Sequence, residues 1–292
     1  MTKNKSHTFK KIFSFVLASI LCLSMSVSSM AAGNSYEEAP LEMPTAPATI
    51  LIPEAHQRVI AEGAGIDIFK EPPEDLVMTR ANLATMTSSY DQRMVRLVIK
   101  FQNSPYSENY GTGFMIGPDA IATAAHNMNH PQYGRATSIT CYIGAGNGIT
   151  AVEAFTITDT SKFLRPSAWD STKGYRYDYG VIKLNKEVTS VGYYGFGAYS
   201  DSVLSSNTFK IAGYGTNTYP SAANSQLTNI GTYDFYYYVD TRGGDSGGPV
   251  SYNNGYVAGI HAYGISEPDY PLPSATRITQ SVFNDLKEWK YQ

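Results

Sequence analysis

Three short motifs place a histidine, an aspartate and a serine, in that order along the chain, in settings suited to nucleophilic catalysis. His126 lies in GTGFMIGPDAIATAAHNM, Asp178 in YRYDYGVIKL and Ser246 in GGDSGGP. A serine hydroxyl is a weak nucleophile that needs an adjacent base, and a carboxylate on the second nitrogen of that base fixes its tautomer. The residues therefore predict acyl transfer to Ser246, with His126 as general base and Asp178 as its orienting partner.

The glycines around Ser246 predict a site for the oxyanion of a tetrahedral intermediate. Such an intermediate needs backbone N–H donors held toward it, and residues without a Cβ permit the tight turn that this requires. We expect the N–H groups of Gly244 and Ser246 to be the donors. A plain Gly-rich turn is the alternative interpretation of GGDSGGP, although six consecutive matching residues disfavour it.

The elements that must position these residues are predominantly β-strands. Short β-rich runs such as MVRLVIKF, ITCYIG, YGVIKL and YVAGIHAYG are separated by turn residues, which is typical of an all-β barrel or sandwich. Near the C-terminus the spacing of the apolar residues changes from that of a strand to that of a helix, as shown by Val282, Phe283, Leu286 and Trp289. We therefore predict a terminal helix that begins behind Ser281 as N-cap and packs its apolar stripe on the body.

The first 80 residues have a different composition from the rest. Four lysines precede an apolar run that ends in SSMAAG, which is typical of a secretory signal peptide over residues 1–31. Residues 32–80 are rich in proline and carry nine acidic residues against three basic ones, which predicts a prosegment that ends between 80 and 86. The catalytic body would span 81–292, with an internal boundary near 185–205. The sequence thus predicts a secreted, extracellular protein.

Composition narrows the partners and cofactors. The formal net charge of −3 gives no electrostatic basis for binding nucleic acid or, after signal removal, a membrane. Of the two cysteines, Cys22 lies in the signal peptide, so Cys141 is alone in the body and is expected to be a buried thiol rather than a nucleophile. No dense carboxylate run specifies calcium. We expect a monomer that acts on protein or peptide substrates without a cofactor or metal.

These motifs carry a resemblance to a known family. TAAH, DYGVIKL and GDSGGP, in that order, resemble the chymotrypsin-like serine proteases. Longer segments, among them RPSAWDSTKGYRYDYGVIKL and ATRITQSVFNDLKEWK, resemble the secreted glutamyl endopeptidases of bacilli and staphylococci, and the resemblance extends from about Arg93 to Lys290. It implies two antiparallel six-stranded β-barrels with the catalytic residues in the cleft between them.

The resemblance also implies which residues bind substrate. In that family a histidine and a threonine read the glutamate carboxylate in the S1 pocket, which holds the residue before the scissile bond (P1). The matching positions here are His261 in GIHAYG and Thr241, five residues before Ser246. The backbone of Ala262, Tyr263 and Gly264 is expected to pair with the substrate as an added strand.

Asp240 leaves the specificity of this pocket open. It occupies the position at which trypsin carries a carboxylate for Arg and Lys, and an uncompensated Asp240 would repel a substrate glutamate. Two interpretations keep glutamate specificity: Asp240 turns away and pairs with Arg242 or another cation, or it holds His261 protonated. Cleavage after Arg or Lys directed by Asp240 is one alternative function. A catalytically inactive secreted binding module is the other.

Asp245 and Gly248 depart from the glutamyl endopeptidase pattern and match the animal-type enzymes instead. In those enzymes the aspartate pairs with an N-terminal amine freed by cleavage. Cleavage between Arg80 and Met86 would release such an amine, which either pairs with Asp245 or places a positive charge near S1.

Overall fold

The computed structural model describes residues 35–37, 50–51, 83–146, 150–215, 219–253, 255–264 and 272–292. The chain divides into two compact units, residues 1–32 and 33–292, and every described residue belongs to the second. The predicted signal peptide and most of the predicted prosegment therefore lie outside the described residues. Within the described part, no helix is long and apolar enough to cross a bilayer.

Three short strands precede the strands of the two main sheets along the chain. They are β1 (Ser35–Glu37), β2 (Ile50–Leu51) and β3 (Thr87–Ser88). β1 pairs antiparallel with residues 195–198, β2 with 150–151 and β3 with 221–222. Backbone pairing thus joins two pieces of the predicted prosegment to the body.

The first sheet holds His126 and Asp178. The next strands along the chain are β4 (Met94–Phe101), β5 (Asn109–Gly117), β6 (Ala120–Thr123), β7 (Asn129–His130), β8 (Gly134–Ile143), β9 (Thr150–Ala151), β10 (Glu153–Ile157), β11 (Phe163–Leu164) and β12 (Gly180–Lys183). The sheet order is β10-β8-β4-β5-β6-β12-β11 with β7 on β8, and the sheet curls into a half-barrel, which is the first barrel of the fold. Helix α1 (Ser167–Thr172) lies between β11 and β12.

The second sheet holds Ser246 and His261. Its strands are β13 (Gly195–Ala198), β14 (Thr208–Gly213), β15 (Ser221–Thr228), β16 (Asp234–Tyr237), β17 (Pro249–Tyr252), β18 (Tyr256–Tyr263) and β19 (Ser274–Arg277). Pairing between β18 and β19 closes the order β18-β17-β14-β15-β16-β19 into a six-stranded barrel, and β13 adds to β18. Helix α2 (Asp201–Ser206) lies between β13 and β14.

Buried side chains form three clusters that account for this arrangement. Because successive strand residues face opposite sides, Val95, Leu97 and Ile99 of β4 fill the first barrel. Met94 and Val98 of the same strand face a central cluster that also contains residues of β13, β18 and the C-terminal helix. A third cluster fills the second barrel. Cys141 lies fully buried in the first barrel, as predicted, and burial raises the pKa of its thiol well above the usual range.

The predicted C-terminal helix is α3 (Gln280–Tyr291). Val282, Phe283 and Leu286 are buried in the central cluster, which confirms the apolar stripe. The predicted cap is wrong: Thr279, not Ser281, precedes the helix and accepts a hydrogen bond from the N–H of Val282 at 3.4 Å. Both residues are good capping types, so residue type alone does not distinguish them.

Candidate active site

His126 and Asp178 form a fully buried pair in the first barrel. His126 lies in the 3₁₀ turn Ala125–Asn127 directly after β6, and Asp178 ends the turn Tyr175–Tyr177 directly before β12. These two strands are hydrogen-bonded neighbours, so the residues that follow one and precede the other meet at the same edge. His126 therefore follows the end of one strand and Asp178 precedes the start of its neighbour.

Two hydrogen bonds fix the orientation of this pair. Nδ1 of His126 lies 2.7 Å from Oδ2 of Asp178, and the backbone N–H of His126 donates to Oδ1 at 2.9 Å. Because a carboxylate accepts hydrogen bonds, Nδ1 carries the proton and Nε2 carries the lone pair. Nε2 is buried and has no hydrogen-bond partner among the described residues. Nε2 is therefore the ring nitrogen that no described group engages.

Ser246 lies in a turn that only glycines allow. Gly244 and Gly247 have φ angles of +95° and +91°. A Cβ on Gly244 would lie 2.3 Å from the carbonyl oxygen of Gly215, and one on Gly247 would lie 2.1 Å from that of Thr112. Backbone that passes this closely, in the left-handed region, excludes larger side chains at both positions.

The N–H groups of Gly244 and Ser246 are both available to an incoming oxyanion. Among the described residues neither group has a hydrogen-bond acceptor, whereas the N–H of the intervening Asp245 donates to the carbonyl of Arg242 at 3.0 Å. Two N–H groups of one turn that lack acceptors are what an oxyanion site requires. These are the two N–H groups named from the sequence, and their role as oxyanion donors stays a prediction.

Two residues missed by the sequence analysis hold this turn from the first barrel. Thr112 on β5 donates its hydroxyl to the carbonyl of Gly244 at 2.8 Å, and its N–H donates to the carbonyl of Ser246 at 2.9 Å. The side-chain amide of Asn127 donates to the same Ser246 carbonyl at 2.9 Å. The only sequence signal for either residue was that Asn127 follows His126, since both contacts join positions more than a hundred residues apart.

The Ser246 hydroxyl donates to the carbonyl of Ala262, at 3.3 Å, rather than to His126. A single rotation about the Cα–Cβ bond of Ser246 redirects this oxygen. Catalytic hydrogen bonds are often long or misaligned before substrate binds. The contact also places Ala262, the expected first residue of the substrate-pairing segment, directly beside Ser246. The Tyr263 ring lies 6.4 Å from the ring of His126, centroid to centroid.

Thr241 and His261 are buried beside the segment that follows β18. Thr241 is 2% exposed, and its hydroxyl has no hydrogen-bond partner among the described residues. That hydroxyl lies 3.8 Å from where a Cβ on Gly264 would be, so Thr241 borders the end of the predicted substrate-pairing segment. A buried hydroxyl without a hydrogen-bond partner raises the free energy of the folded protein, and a ligand that bonds to it removes this penalty.

His261 has neutral partners instead of a carboxylate. Its Nδ1 contacts the hydroxyl of Tyr237 and lies 3.2 Å from the carbonyl oxygen of Ser274. Burial lowers the pKa of His261 to about 3, so the ring is neutral at physiological pH. Asp240 lies 3.5 Å from the guanidinium of Arg242. Of the two interpretations offered for Asp240, the geometry therefore favours pairing with Arg242 over protonation of His261.

Asp245 lies fully buried behind the Ser246 turn. One carboxylate oxygen accepts the backbone N–H of Arg242 at 2.8 Å, and the other lies against Gly213, where a Cβ would approach to 2.3 Å. Burial raises the pKa of Asp245 to about 7. Hydrogen bonds from backbone N–H groups and the charge of Arg242 lower its pKa and offset only part of the effect of burial.

The segment just after the predicted prosegment is built into the second barrel. The N–H of Ala84 donates to the carbonyl of Tyr238, and the carbonyl of Ala84 accepts the N–H of Asp240, both at 3.0 Å. Leu83 is 8% exposed, and β3 follows at Thr87. The start of the described body therefore lies beside the residues that precede Thr241.

Comparisons with known proteins agree with this geometry. The sequence profile of the family described as Trypsin matches residues 87–284. A glutamyl endopeptidase of Bacillus licheniformis is 34% identical over 195 residues, which cover 61% of this chain and 59% of that protein. An extracellular metalloprotease of Bacillus subtilis is 31% identical over 231 residues, which cover 75% of this chain and 71% of that protein.

A solved structure confirms the predicted chymotrypsin-like fold. The structure described as a Glu endopeptidase in complex with MPD superimposes with a TM-score of 0.59 and 22% identity, and covers 71% of this chain and 97% of its own. The name of the B. subtilis relative raises the question of a metal. Within the described ranges, His, Cys, Asp and Glu side chains form no group of three or more that could hold one. We therefore derive no step through a metal ion.

Proposed function

Because this chain belongs to the trypsin family of serine endopeptidases, we propose that it cleaves peptide bonds after Glu, and to a lesser extent after Asp. The observation that carries the proposal is the chemistry of the pocket wall. Thr241 contributes a buried hydroxyl without a partner in the described part of the chain. His261 contributes a buried imidazole whose Nδ1 is already engaged, which leaves Nε2 for the substrate.

In the first half of the proposed reaction, Ser246 attacks the scissile carbonyl carbon while His126 Nε2 takes the proton of its hydroxyl. Asp178 accepts the Nδ1–H of His126 and stabilises the imidazolium that forms. The N–H groups of Gly244 and Ser246 donate to the oxyanion. His126 then protonates the leaving amine, and the acyl-enzyme remains on Ser246.

In the second half, water replaces the leaving amine. His126 takes a proton from the water as it attacks the acyl carbonyl, and then returns that proton to the Ser246 oxygen as the ester bond breaks. Thr112 and Asn127 keep the turn in place throughout, since both bind its carbonyls rather than its reacting atoms. We expect the backbone of Ala262–Gly264 to pair with the substrate and to align its carbonyl with Ser246.

Recognition of the P1 side chain rests on hydrogen-bond donors. A glutamate carboxylate between the Thr241 hydroxyl and the His261 Nε2–H would receive two charge-assisted bonds that an apolar side chain forgoes. An apolar side chain would in addition leave both donors buried without acceptors. The pocket therefore favours Glu because it donates two hydrogen bonds to the carboxylate. It disfavours an apolar residue because that residue leaves both donors without acceptors.

We further propose that the protein is secreted as a precursor. The support is the signal-like N-terminus and the acidic, proline-rich segment of residues 32–80. Because Ala84 is hydrogen-bonded on both sides, activating cleavage fits best between Arg80 and Leu83, at the N-terminal end of the expected window. The new amine would then lie beside Asp240 and Thr241, which favours a role near S1 over pairing with Asp245.

Two competing functions make different predictions. Cleavage after Arg or Lys needs Asp240 to face the pocket, but its carboxylate lies 3.5 Å from Arg242. An inactive binding module would be consistent with the Ser246 hydroxyl bonding to Ala262 instead of His126. Two features argue against an inactive module: among the described residues, His126 Nε2 has no partner, and the N–H groups of Gly244 and Ser246 have no acceptors.

A digest of a denatured protein of known sequence tests the proposal. We expect the mature enzyme to release peptides that end in Glu and, more slowly, in Asp, and a serine-directed organophosphate to label Ser246 and stop the digestion. Peptides that end in Arg or Lys would overturn the glutamyl proposal. Absence of both labelling and digestion by a correctly processed sample would support the inactive module.

A further inference from the structure

The turn that carries Asp178 is held from the second barrel as well as from the first. The hydroxyl of Thr276, on β19, lies 3.2 Å from the carbonyl oxygen of Tyr175 and 3.2 Å from that of Asp178. These two carbonyls belong to the first residue of the Tyr175–Tyr177 turn and to the residue that ends it. Thr276 is 2% exposed and Asp178 is fully buried, so water has little access to these bonds.

The Thr276 hydroxyl acts as a donor to both carbonyls. A carbonyl oxygen has no proton, so the single proton of the hydroxyl is shared between the two acceptors. The Tyr175 oxygen has a second donor, because the N–H of Asp178 bonds to it at 3.1 Å. For the Asp178 carbonyl, Thr276 is the one donor among the described residues. Loss of the hydroxyl would therefore be felt most at Asp178.

The Asp178 side chain and backbone are bound to different barrels. Its carboxylate accepts from Nδ1–H of His126 at 2.7 Å and from the backbone N–H of His126 at 2.9 Å, both within the first barrel. Its carbonyl is bound by Thr276 on β19, which pairs with β18 of the second barrel. The Ser246 hydroxyl bonds to Ala262 on that same β18. The Thr276 bond therefore links the His126–Asp178 pair to the barrel that carries the nucleophile.

A second contact docks the same turn on the second barrel from its exposed side. The guanidinium of Arg176 lies 4.5 Å from the ring centroid of Tyr177 and 5.6 Å from that of Tyr233, which precedes β16. Both distances are within the range of a cation–π interaction. Tyr233 is 40% exposed, so solvent weakens this contact. Thr276 provides the buried attachment.

We propose that Thr276 is a positioning residue: its hydroxyl fixes the Asp178 turn, so that the Asp178 carboxylate holds His126 in place for the reaction. The inference rests on the proposed function, because it assigns a support to the same catalytic pair. Thr276 acts through Asp178 and does not touch the reacting atoms. It is the counterpart of Thr112 and Asn127, which hold the turn of the nucleophile from the opposite barrel.

Thr276→Val tests the role of the hydroxyl, because valine keeps the branched shape and removes the proton. The Asp178 carbonyl would be left buried without a donor, and the turn would shift to relieve this. A small displacement at a distance from the reacting atoms is enough to slow the chemical step. For a P1 Glu peptide we expect kcat to fall about 10- to 100-fold and KM to stay within about threefold. Counting active sites with a serine-directed organophosphate restricts kcat to folded enzyme.

The same substitution in an Asp178→Asn background shows whether Thr276 acts through Asp178. If it does, Thr276→Val should lower kcat by less than about threefold once the carboxylate is gone, since the two residues act as a unit. A general loss of packing would lower kcat by the same factor in both backgrounds. That additive result would overturn the inference.

Thr137→Val is the matched control. Thr137 is also a strand threonine whose hydroxyl donates to a backbone carbonyl, that of Lys100 at 3.0 Å, but this bond lies within the first barrel. We expect kcat to be unchanged. Wild-type enzyme that does not cleave the P1 Glu peptide, or that is unaffected by Asp178→Asn, would overturn the proposed function. If the wild type cleaves and responds to Asp178→Asn, a Thr276→Val kcat within about threefold of wild type would overturn only the role of Thr276.

A pair of smaller changes serves if Thr276→Val fails to fold. Thr276→Ser keeps the hydroxyl, whereas Thr276→Cys replaces its oxygen with sulfur, which is a weak donor. We expect the serine variant to keep kcat within about threefold of wild type and the cysteine variant to lie about tenfold below the serine variant, near 1.4 kcal/mol. Equal kcat values for the two variants would overturn the inference.

Discussion

The two barrels each bury a histidine at the cleft, and the two histidines differ mainly in their partners. His126, in the first barrel, bonds through Nδ1 to the carboxylate of Asp178 at 2.7 Å. His261, in the second, bonds through Nδ1 to the hydroxyl of Tyr237 and the carbonyl of Ser274. Both rings are at most 1% exposed. Burial alone therefore does not determine what a histidine does here.

The charge of the Nδ1 partner explains the difference. A carboxylate accepts the Nδ1 proton and stabilises an imidazolium, so His126 is suited to take a proton on Nε2 and return it. Neutral partners give no such stabilisation, so His261 is suited to stay uncharged and to donate a hydrogen bond. In the proposed function, the first barrel would provide the general base and the second would recognise the P1 side chain.

The largest effect is expected from Asp178→Asn. The amide would direct its N–H₂ group at Nδ1 and place the proton on Nε2, which could then no longer act as a base. We expect kcat to fall about 10⁴-fold with little change in KM. Asp159→Asn serves as a control, because Asp159 is an exposed cap that bonds to Ser161 and not to the site. A decrease below tenfold in Asp178→Asn would contradict the role of the pair.

His261→Val should separate recognition of the P1 side chain from the catalytic reaction at Ser246. Valine removes the Nε2–H but leaves Ser246, His126 and Asp178 in place. We expect kcat/KM for Glu substrates to fall about 10³-fold, on the order of 4 kcal/mol, while a small organophosphate still labels Ser246 at near the wild-type rate. Loss of labelling together with cleavage would mean that His261 supports the catalytic machinery itself.

A prediction about the pH dependence of stability concerns Asp245, which is buried behind the Ser246 turn. Its pKa is raised from 3.8 to about 7, so the folded precursor holds this proton more tightly than the unfolded chain does. The stability that this contributes is complete below about pH 4 and is lost as the pH rises through 7, by about 4 kcal/mol in all. Asp245→Asn, in an inactive Ser246→Ala precursor, should remove that loss. Urea unfolding from pH 4.5 to 8 measures it, and parallel pH profiles for the two proteins would refute the assignment.

Thr241 should give the smallest effect. Thr241→Val keeps the shape of the side chain but removes a donor that we expect to share the carboxylate with His261. We predict a decrease of about tenfold in kcat/KM for Glu substrates, near 1.4 kcal/mol. Thr241→Ser, which keeps the hydroxyl, should stay within about threefold of the wild type. Equal losses in both variants would point to packing instead of hydrogen bonding.

The sequence was sufficient for features encoded within a few neighbouring residues. The run MVRLVIKF is β4 (Met94–Phe101), and the GGDSGGP turn needs glycine at Gly244 and Gly247 for its backbone. The contacts of Thr112, Asn127 and Tyr237 were not predictable. Each joins strands or turns far apart in the chain, and a threonine or tyrosine on a strand has no local pattern that indicates such a role. Contacts between the barrels place Thr112 and Asn127, and packing inside the second barrel places Tyr237; both depend on the fold.

Hydrolysis of paired peptides that differ only in Glu or Arg at P1, by the mature enzyme at neutral pH, tests the central claim most directly. The account predicts a preference for Glu of about 100-fold or more, close to 3 kcal/mol of differential transition-state binding. Such a result would assign the pocket to His261 and Thr241. A preference for Arg would assign it to Asp240 and contradict the account of how the second barrel reads its substrate.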